Sequence, residues 1–138
     1  MCPLSGQRLR VLSIVGTRPE AIKMAPIVRE LSQHGGVASR LCVTAQHREL
    51  LDDVLELFGL VPDVDLDVMR RAGSLHEAAA EILRGLGPVL AEERPDWVLV
   101  QGDTTTAAMG AVAAFYAGAR VAHVEAGLRT HTPRAPFP

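Results

Sequence analysis

Short apolar runs alternate with segments of helical spacing along most of this 138-residue chain. The apolar runs, each of strand length, cover 9–15, 40–45, 97–101 and 120–124. The predicted helices, identified from apolar spacing, capping residues or alanine content, cover 19–33, 48–58, 75–93 and 105–116. Strands and helices that alternate in this way predict an α/β fold, a Rossmann-like parallel sheet with helices on both faces.

Two stretches interrupt this regular pattern. Gly85, Gly87 and Pro88 fall within the third helix and predict a kink or a break before Glu93, because proline removes a backbone donor from a helix. The stretch 61–73 contains a proline and three aspartates and is interpreted as an extended loop. The pattern therefore predicts four strands in all.

The composition is that of an ordinary globular domain, with 48% hydrophobic and 22% charged residues. A formal net charge of −2 predicts no nucleic-acid partner. No apolar stretch has the length of a membrane span or of a signal-peptide core, so we expect a cytoplasmic protein with no membrane partner. The two cysteines, Cys2 and Cys42, lack metal-binding spacing, and we expect neither a metal nor a disulfide framework.

The most informative motif joins the first strand to the first helix, at residues 16–23. Gly16 is expected to allow a tight turn with positive φ, and Pro19 suits the first helical position. Such a turn presents free backbone N–H groups and two cations, Arg18 and Lys23, which together favour phosphate oxygens. Lys23 is the only lysine, against 13 arginines. The alternative is a solvated first turn with ordinary surface cations.

A second polar cluster, residues 102–106, follows the third predicted strand. It consists of a glycine, Asp103 and three threonines. On the functional interpretation, the Asp103 carboxylate points into a cleft beside threonine hydroxyls and helix N–H groups. On the alternative interpretation, the aspartate or a threonine caps the next helix.

A third cluster, residues 125–130, follows the fourth predicted strand. Alternation along that strand places His123 and Glu125 on one side, where Glu125 is a candidate for acid–base chemistry. The alternative is an ion pair between Glu125 and Arg129 that closes the loop. A zinc site of the His-x-Glu type is excluded, because its Pro-Cys-x-x-Cys partner is absent. Parallel sheets bind ligands at the carboxyl ends of their strands, where all three clusters fall.

Four motifs occur in the order and spacing typical of the non-hydrolysing UDP-N-acetylglucosamine (UDP-GlcNAc) 2-epimerases. They are GTRPEAIKMAP at 16–26, VTAQHR at 43–48, GDTTT at 102–106 and HVEAGLRT at 123–130. Through these motifs the chain resembles that family over nearly its whole length after Leu9. The residues PEAIK after the first Gly-Thr-Arg distinguish this branch from the hydrolysing epimerases.

The resemblance implies a glycosyltransferase-B-like architecture, in which two Rossmann-like domains hold the nucleotide sugar between them. Residues 1–138 would be the N-terminal domain, and 130–138 a truncated loop. The implied reaction interconverts UDP-GlcNAc and UDP-ManNAc by elimination and re-addition of UDP, in cell-envelope polysaccharide biosynthesis. The resemblance implies a homodimer in the full-length form, with UDP-GlcNAc and UDP as ligands and no cofactor, since UDP itself is the leaving group.

The motif match also assigns roles to individual positions. The catalytic set would be Asp103 and Glu125 as acid–base groups, with Arg18 and Lys23 as the cationic grip on the departing UDP. The substrate-binding positions would be Gly16, Thr17, Arg18, Pro19, Lys23, Thr104 and Arg129. An allosteric UDP-GlcNAc site would involve Gln46 and His47.

The family pattern continues beyond this proline-rich loop into a segment that carries a further catalytic glutamate, whereas this chain stops at Pro138. We therefore expect little or no epimerase activity from the chain alone. Two alternatives stay open. One is a non-catalytic module that binds UDP or a nucleotide sugar, and the other is a different glycosyltransferase-B-like sugar transferase, which would require an acceptor site.

Overall fold

A computed structural model describes residues 6–45, 48–68 and 73–135. Nine elements follow one another along these residues. They are β1 (Leu9–Val15), α1 (Arg18–Gln33), β2 (Val37–Val43), α2 (Arg48–Phe58), β3 (Val64–Asp65), α3 (Leu75–Glu93), β4 (Trp97–Gln101), α4 (Thr105–Tyr116) and β5 (Arg120–Val124).

The strands form one five-stranded sheet in the order β3-β2-β1-β4-β5. All four neighbouring pairs are parallel, and β1 lies at the centre, with Leu9 opposite Val37 and Val11 opposite Trp97. The predicted parallel α/β fold is confirmed. Because the strands run in one direction, the segments that follow β1, β4 and β5 meet at one edge of the sheet.

Helices cover both faces of the sheet, as the alternation predicts. On one face α1 and α2 bury a cluster that includes Met24, Leu51 and Val43. On the other face α3 and α4 bury a second cluster, which includes Ile82 and Ile14. Full burial of one such side chain contributes roughly 1.5–3 kcal/mol, so the two clusters hold the helices to the sheet.

The structure corrects three details of the sequence-based assignment. β2 starts at Val37 and not at residue 40, because the backbone already pairs with β1 there. The stretch interpreted as a loop contains β3, which pairs with the end of β2. The third helix is continuous through Pro88. Gly85 has a packing role, since a Cβ at that position would lie 3.1 Å from the Leu66 side chain.

Asp96 holds the amino ends of the central strands together. Its carboxylate accepts hydrogen bonds from the backbone N–H of Arg10 at 2.8 Å and from the Arg10 guanidinium at 3.4 Å. Its backbone carbonyl accepts from the N–H of Arg120 at 3.1 Å. This end of the sheet is therefore fixed by structural contacts, and the predicted site lies at the opposite end. Over the three described ranges, no helix combines the length and the apolar character that crossing a bilayer requires.

Candidate functional site

The three predicted polar clusters converge at the carboxyl edge of the sheet. The clearest sign is an ion pair between Lys23, in the second turn of α1, and Glu125, directly after β5. Their Nζ and Oε2 atoms are 2.5 Å apart, with about half of the lysine side chain exposed (51%) and 37% of the glutamate side chain. The Gln101 side-chain amide, at the end of β4, donates to the same carboxylate oxygen. The Glu125 Oε2 atom thus connects three places at this edge: α1, which follows β1, the end of β4, and the segment after β5.

Gly16 is required by close packing and not by a left-handed backbone. Its φ is not among the positive values of the described glycines, so the expected positive-φ turn is wrong. A Cβ on Gly16 would lie 2.1 Å from the Thr106 hydroxyl oxygen and 2.4 Å from that of Thr44. These hydroxyls are themselves hydrogen-bonded at 2.8 Å and buried. The turn can lie against them only if position 16 lacks a side chain.

The backbone N–H groups of the same turn are already occupied. Glu20, which is 1% exposed, accepts from the N–H of Gly16 at 2.9 Å and from that of Thr17 at 2.6 Å, both through Oε2. The expectation that these two N–H groups are free for phosphate is therefore wrong. The sequence interpretation gave Glu20 no role, although a threonine followed three residues later by glutamate is a helix-start signal. Arg18 and Pro19 are exposed at the first turn of α1.

In the cluster after β4, the helix cap and the exposed carboxylate are different residues. Thr104 is the N-cap of α4, and its hydroxyl accepts from the N–H of Ala107 at 3.0 Å. The capping alternative is thus confirmed for Thr104. Asp103 is exposed, and it precedes the cap immediately. Gly102, with φ of +73°, makes the turn that separates β4 from these residues.

Glu125 has a left-handed backbone, with φ of +56°, which is uncommon for a residue with a side chain. The predicted alternative, an ion pair with Arg129, is wrong for the described residues, because Glu125 pairs with Lys23 and the Arg129 guanidinium donates to the carbonyl of Leu128 at 2.7 Å. His123 Nε2 lies 2.6 Å from the carbonyl oxygen of Gly102. This contact ties the end of β5 to the turn after β4.

A cavity of about 190 Å³ lies between these segments. Its lining brings together side chains of the second and third clusters: Asp103, Thr104, His123, Glu125 and Arg129. A larger cavity of about 740 Å³ lies at the other end of the sheet, near Arg10 and Pro95. The smaller cavity is the better candidate, because it contains two carboxylates and a guanidinium beside the Lys23 ammonium.

The predicted allosteric positions, Gln46 and His47, lie outside the described residues. The roles assigned to the other site positions stay predictions, although the structure brings most of them to one edge. The sequence interpretation did not include two residues that contact the predicted site positions, Glu20 and Gln101.

The family profile described as UDP-N-acetylglucosamine 2-epimerase matches residues 29–138. The chain belongs to this family. The 2-epimerase of Yersinia pestis is 55% identical over 130 residues, and that of Escherichia coli K12 is 54% identical over the same length. Each alignment covers 94% of this chain and 35% of the relative, so the chain spans about a third of the length of the 2-epimerases it matches.

Solved 2-epimerase structures share the fold as well as the sequence. The enzyme from Neisseria meningitidis, in a crystal structure bound to UDP-GlcNAc, is 50% identical, with a TM-score of 0.88 over 94% of this chain and 36% of that one. The enzyme from Methanocaldococcus jannaschii, in complex with UDP-GlcNAc and UDP, is 36% identical, with a TM-score of 0.85 over 91% of this chain and 35% of that one. The chain, which covers about a third of each of these structures, lies in the N-terminal half of their glycosyltransferase-B-like fold.

Proposed function

We propose that this chain forms the N-terminal wall of the active site of a non-hydrolysing UDP-GlcNAc 2-epimerase. The observation that carries the proposal is the Lys23–Glu125 contact of 2.5 Å, beside a cavity that also contains Asp103. A cation for a diphosphate and carboxylates for proton transfer are the groups that this reaction requires. Family membership supports the same assignment, as do relatives that bind UDP-GlcNAc and UDP.

Arg18 and Lys23 are proposed to hold the diphosphate through their side chains. The N–H groups of Gly16 and Thr17 donate to Glu20, so the turn offers a ligand its side-chain cations and not these two amides. A guanidinium binds two phosphate oxygens at once, and an ammonium adds a compact charge. In this proposal Gly16, Thr17 and Pro19 shape the turn that the diphosphate contacts.

The sugar is proposed to lie over the cavity, within reach of Asp103 and Glu125. In the elimination step, one carboxylate takes the C2 proton, the C1–O bond breaks, and its electron pair leaves with UDP. The C1–C2 double bond of 2-acetamidoglucal results. Re-addition of UDP to C1, with a proton delivered to the opposite face of C2, gives the epimer. Thr104 and Arg129 are proposed to contact the substrate beside these carboxylates.

The Lys23–Glu125 pair suggests how ligand binding prepares the site. A diphosphate that engages Lys23 competes with Glu125 for the same ammonium. The nucleotide would thus release the Glu125 carboxylate from its ion pair at the moment when the substrate is present.

Binding is tested by recording amide ¹H–¹⁵N spectra of the chain during titration with UDP. We expect shifts in residues 16–23 and 102–106, with an affinity of about 1 mM, because half a cleft offers limited contact. The double variant Arg18→Ala/Lys23→Ala should abolish the response. Arg29→Ala/Arg84→Ala removes two exposed cations from other sites and is the matched control. An unchanged response in the first double variant would overturn the diphosphate assignment.

The reaction is tested by proton NMR with UDP-GlcNAc in D₂O. The chain spans about a third of its relatives, so we expect UDP shifts without deuterium at C2. A chimera in which this chain replaces the matching third of the Neisseria meningitidis enzyme should restore C2 exchange, and Glu125→Gln in that chimera should remove it. UDP binding with no exchange in the chimera would favour the non-catalytic binding module. Transfer of the sugar to an added acceptor would favour a sugar transferase.

Expectations for the oligomeric state and the cellular location belong to the same proposal. The homodimer is expected of the full-length form, and light scattering on the chimera tests it. A cytoplasmic location is also expected, and fractionation of cells that express the tagged chain tests it. A monomeric chimera, or recovery of the chain outside the cytoplasm, would contradict these expectations.

A further inference from the structure

Glu20 is a buried carboxylate that forms no ion pair with a cationic side chain in the described ranges. The buried polar and charged side chains of those ranges are Ser13, Glu20, Thr44, Gln101 and Thr106, and Glu20 is the acid among them. A carboxylate taken out of water is costly unless hydrogen bonds replace its solvation. The donors that replace water around Glu20 therefore indicate what this side chain does.

Those donors come from two different segments of the chain. Oε2 accepts from the backbone N–H groups of Gly16 and Thr17, at 2.9 and 2.6 Å. Oε1 accepts from the hydroxyl of Thr104 at 2.6 Å, across 84 residues of sequence. We call these four residues the Glu20 bridge. An ionised carboxylate only accepts hydrogen bonds, and all three partners donate, so the bridge is fully matched.

The bridge adjoins the proposed site, because Thr104 also lines the cavity. Lys23 is one helical turn after Glu20, so its position follows the orientation of the first turn of α1. Asp103 precedes Thr104, so its position follows the start of α4. We infer that Glu20 is a positioning residue, which fixes the turn after β1 against the start of α4 and thereby sets the spacing between the diphosphate cations and Asp103. This inference rests on the proposed function for its ligand. The connection between Glu20 and Thr104 can be tested without any ligand.

Another helix of the same chain provides a matched control. Glu77 occupies the third position of α3, as Glu20 does in α1, and its Oε2 accepts from the N–H of Gly73 at 2.6 Å. Glu77 is exposed, and among the described residues its carboxylate accepts from the start of its own helix alone. Glu77→Gln thus repeats the chemical change of Glu20→Gln without disturbing a second segment of the described ranges.

A glutamine at position 20 cannot satisfy all three partners as they stand. If its carbonyl oxygen accepts from Gly16 and Thr17, its amide group faces the Thr104 hydroxyl, whose proton then loses the acceptor that Glu20 provides. In the other orientation, the glutamine NH₂ group faces the backbone N–H groups of Gly16 and Thr17, and neither can accept a hydrogen bond from it. Glu20→Gln should therefore keep α1 and weaken the connection to Thr104.

The test uses amide spectra of the whole chain and titration with UDP. We expect Glu20→Gln to shift the amide signals of residues 103–107, which are distant in sequence, and to weaken UDP binding about 10-fold, the worth of roughly one hydrogen bond. Glu77→Gln should shift only signals near residue 73 and leave the UDP affinity unchanged. Shifts confined to 16–21 in Glu20→Gln would overturn the inference, and so would equal losses of affinity in both variants.

The remaining outcomes also decide the question. If the unmodified chain shows no UDP response, the proposed function fails, and the shifts at 103–107 alone decide whether the bridge exists. If Glu20→Gln does not fold, Thr104→Ala tests the bridge from its other end. It should shift the amides of Gly16 and Thr17, and Thr104→Ser, which keeps the hydroxyl, should restore them. Unmoved Gly16 and Thr17 signals in a folded Thr104→Ala variant would overturn the inference.

Discussion

Lys23 Nζ lies 2.5 Å from Glu125 Oε2, although 102 residues separate the two positions in the chain. The pair connects α1, which follows β1, to the segment after β5. In the sheet, β1 and β5 lie on opposite sides of β4. Both side chains are more than a third exposed, which places the contact in water-accessible space at the candidate site.

We expect this ion pair to contribute little to folding. Exposed ion pairs are typically worth about 0–1 kcal/mol, because water screens the charges and the side chains lose entropy. A double-mutant cycle with Lys23→Met and Glu125→Gln, measured by urea unfolding, should give a coupling energy below about 1 kcal/mol. A coupling well above that value would make the pair a structural element and weaken its assignment to the active site.

Gly16→Ala should destabilise the chain by about 1–3 kcal/mol, because the added methyl group overlaps the paired hydroxyls of Thr44 and Thr106. The free energy of unfolding in urea measures this change. Gly35→Ala is the control, since a Cβ there meets nothing within 4 Å and its φ is not in the left-handed range. A Gly16→Ala variant as stable as Gly35→Ala would show that the turn adapts.

Cys42 should react with alkylating reagents only when the chain opens. Burial raises the pKa of its thiol from an ordinary 9.0 to about 12, with smaller contributions from the negative charges of Asp65 and Glu93. Since the thiolate is the reactive form, iodoacetamide should modify Cys42 at a rate set by unfolding. Mass spectrometry of a Cys2→Ser variant follows this position alone. Rapid modification of the native chain at pH 8 would contradict the buried position.

The same pKa shift predicts a loss of stability in alkali. In the unfolded chain the Cys42 thiol ionises near pH 9, whereas in the folded chain it stays protonated to about pH 12. Between these values the unfolded state binds fewer protons, so the free energy of unfolding falls by up to about 1.4 kcal/mol per pH unit. Cys42→Ala should have a flatter alkaline profile in urea unfolding. Parallel profiles for the two proteins would refute this.

Asp96 should contribute stability at neutral pH that disappears in acid. The hydrogen bond from the backbone N–H of Arg10 has the largest effect and lowers the pKa of this carboxyl below its ordinary 3.8. The hydrogen bond from the Arg10 guanidinium acts in the same direction. A carboxyl whose pKa is lower in the folded state stabilises that state at every pH above its pKa in the unfolded chain. This stabilisation is lost as the pH falls through the pKa of the folded state and the carboxyl becomes protonated. The difference between the wild type and Asp96→Asn in urea unfolding should therefore be constant near pH 7 and shrink below about pH 4.

Asp53→Asn removes the same charge from an exposed position on α2 and controls for the change in net charge. A difference between wild type and Asp96→Asn that persists unchanged at pH 2 would contradict the role of the ionised carboxylate.

The strands and the location of the site could be predicted because their signals are local. β1, β4 and β5 are apolar runs, and the polar clusters follow them directly in sequence. The Glu20 bridge could not be predicted in the same way, because Thr104 is 84 residues away and only the folded sheet brings the two together. The occupied N–H groups of the turn, by contrast, have a local signal in the glutamate three residues after Thr17, to which the sequence interpretation gave no role.

Two other differences have the same origin. β3 has only two residues and forms because the end of β2 offers an edge for pairing, not because its own sequence favours a strand. α3 is continuous through Pro88, and its buried side chains Ile82, Leu86 and Leu90 pack in one cluster with the sheet residues of that face. In both cases tertiary contacts outweigh the intrinsic preference of the segment.

The central position of β1 has a consequence for synthesis of the protein. β1 can pair with β2 once residue 43 is made, but its other edge waits for β4, which begins at residue 97. At roughly 5–20 residues per second, a ribosome needs several seconds to add the intervening segment. Over that interval the nascent chain has an open strand edge and an uncovered apolar face at Leu12 and Ile14, the two features that favour association between unfinished chains.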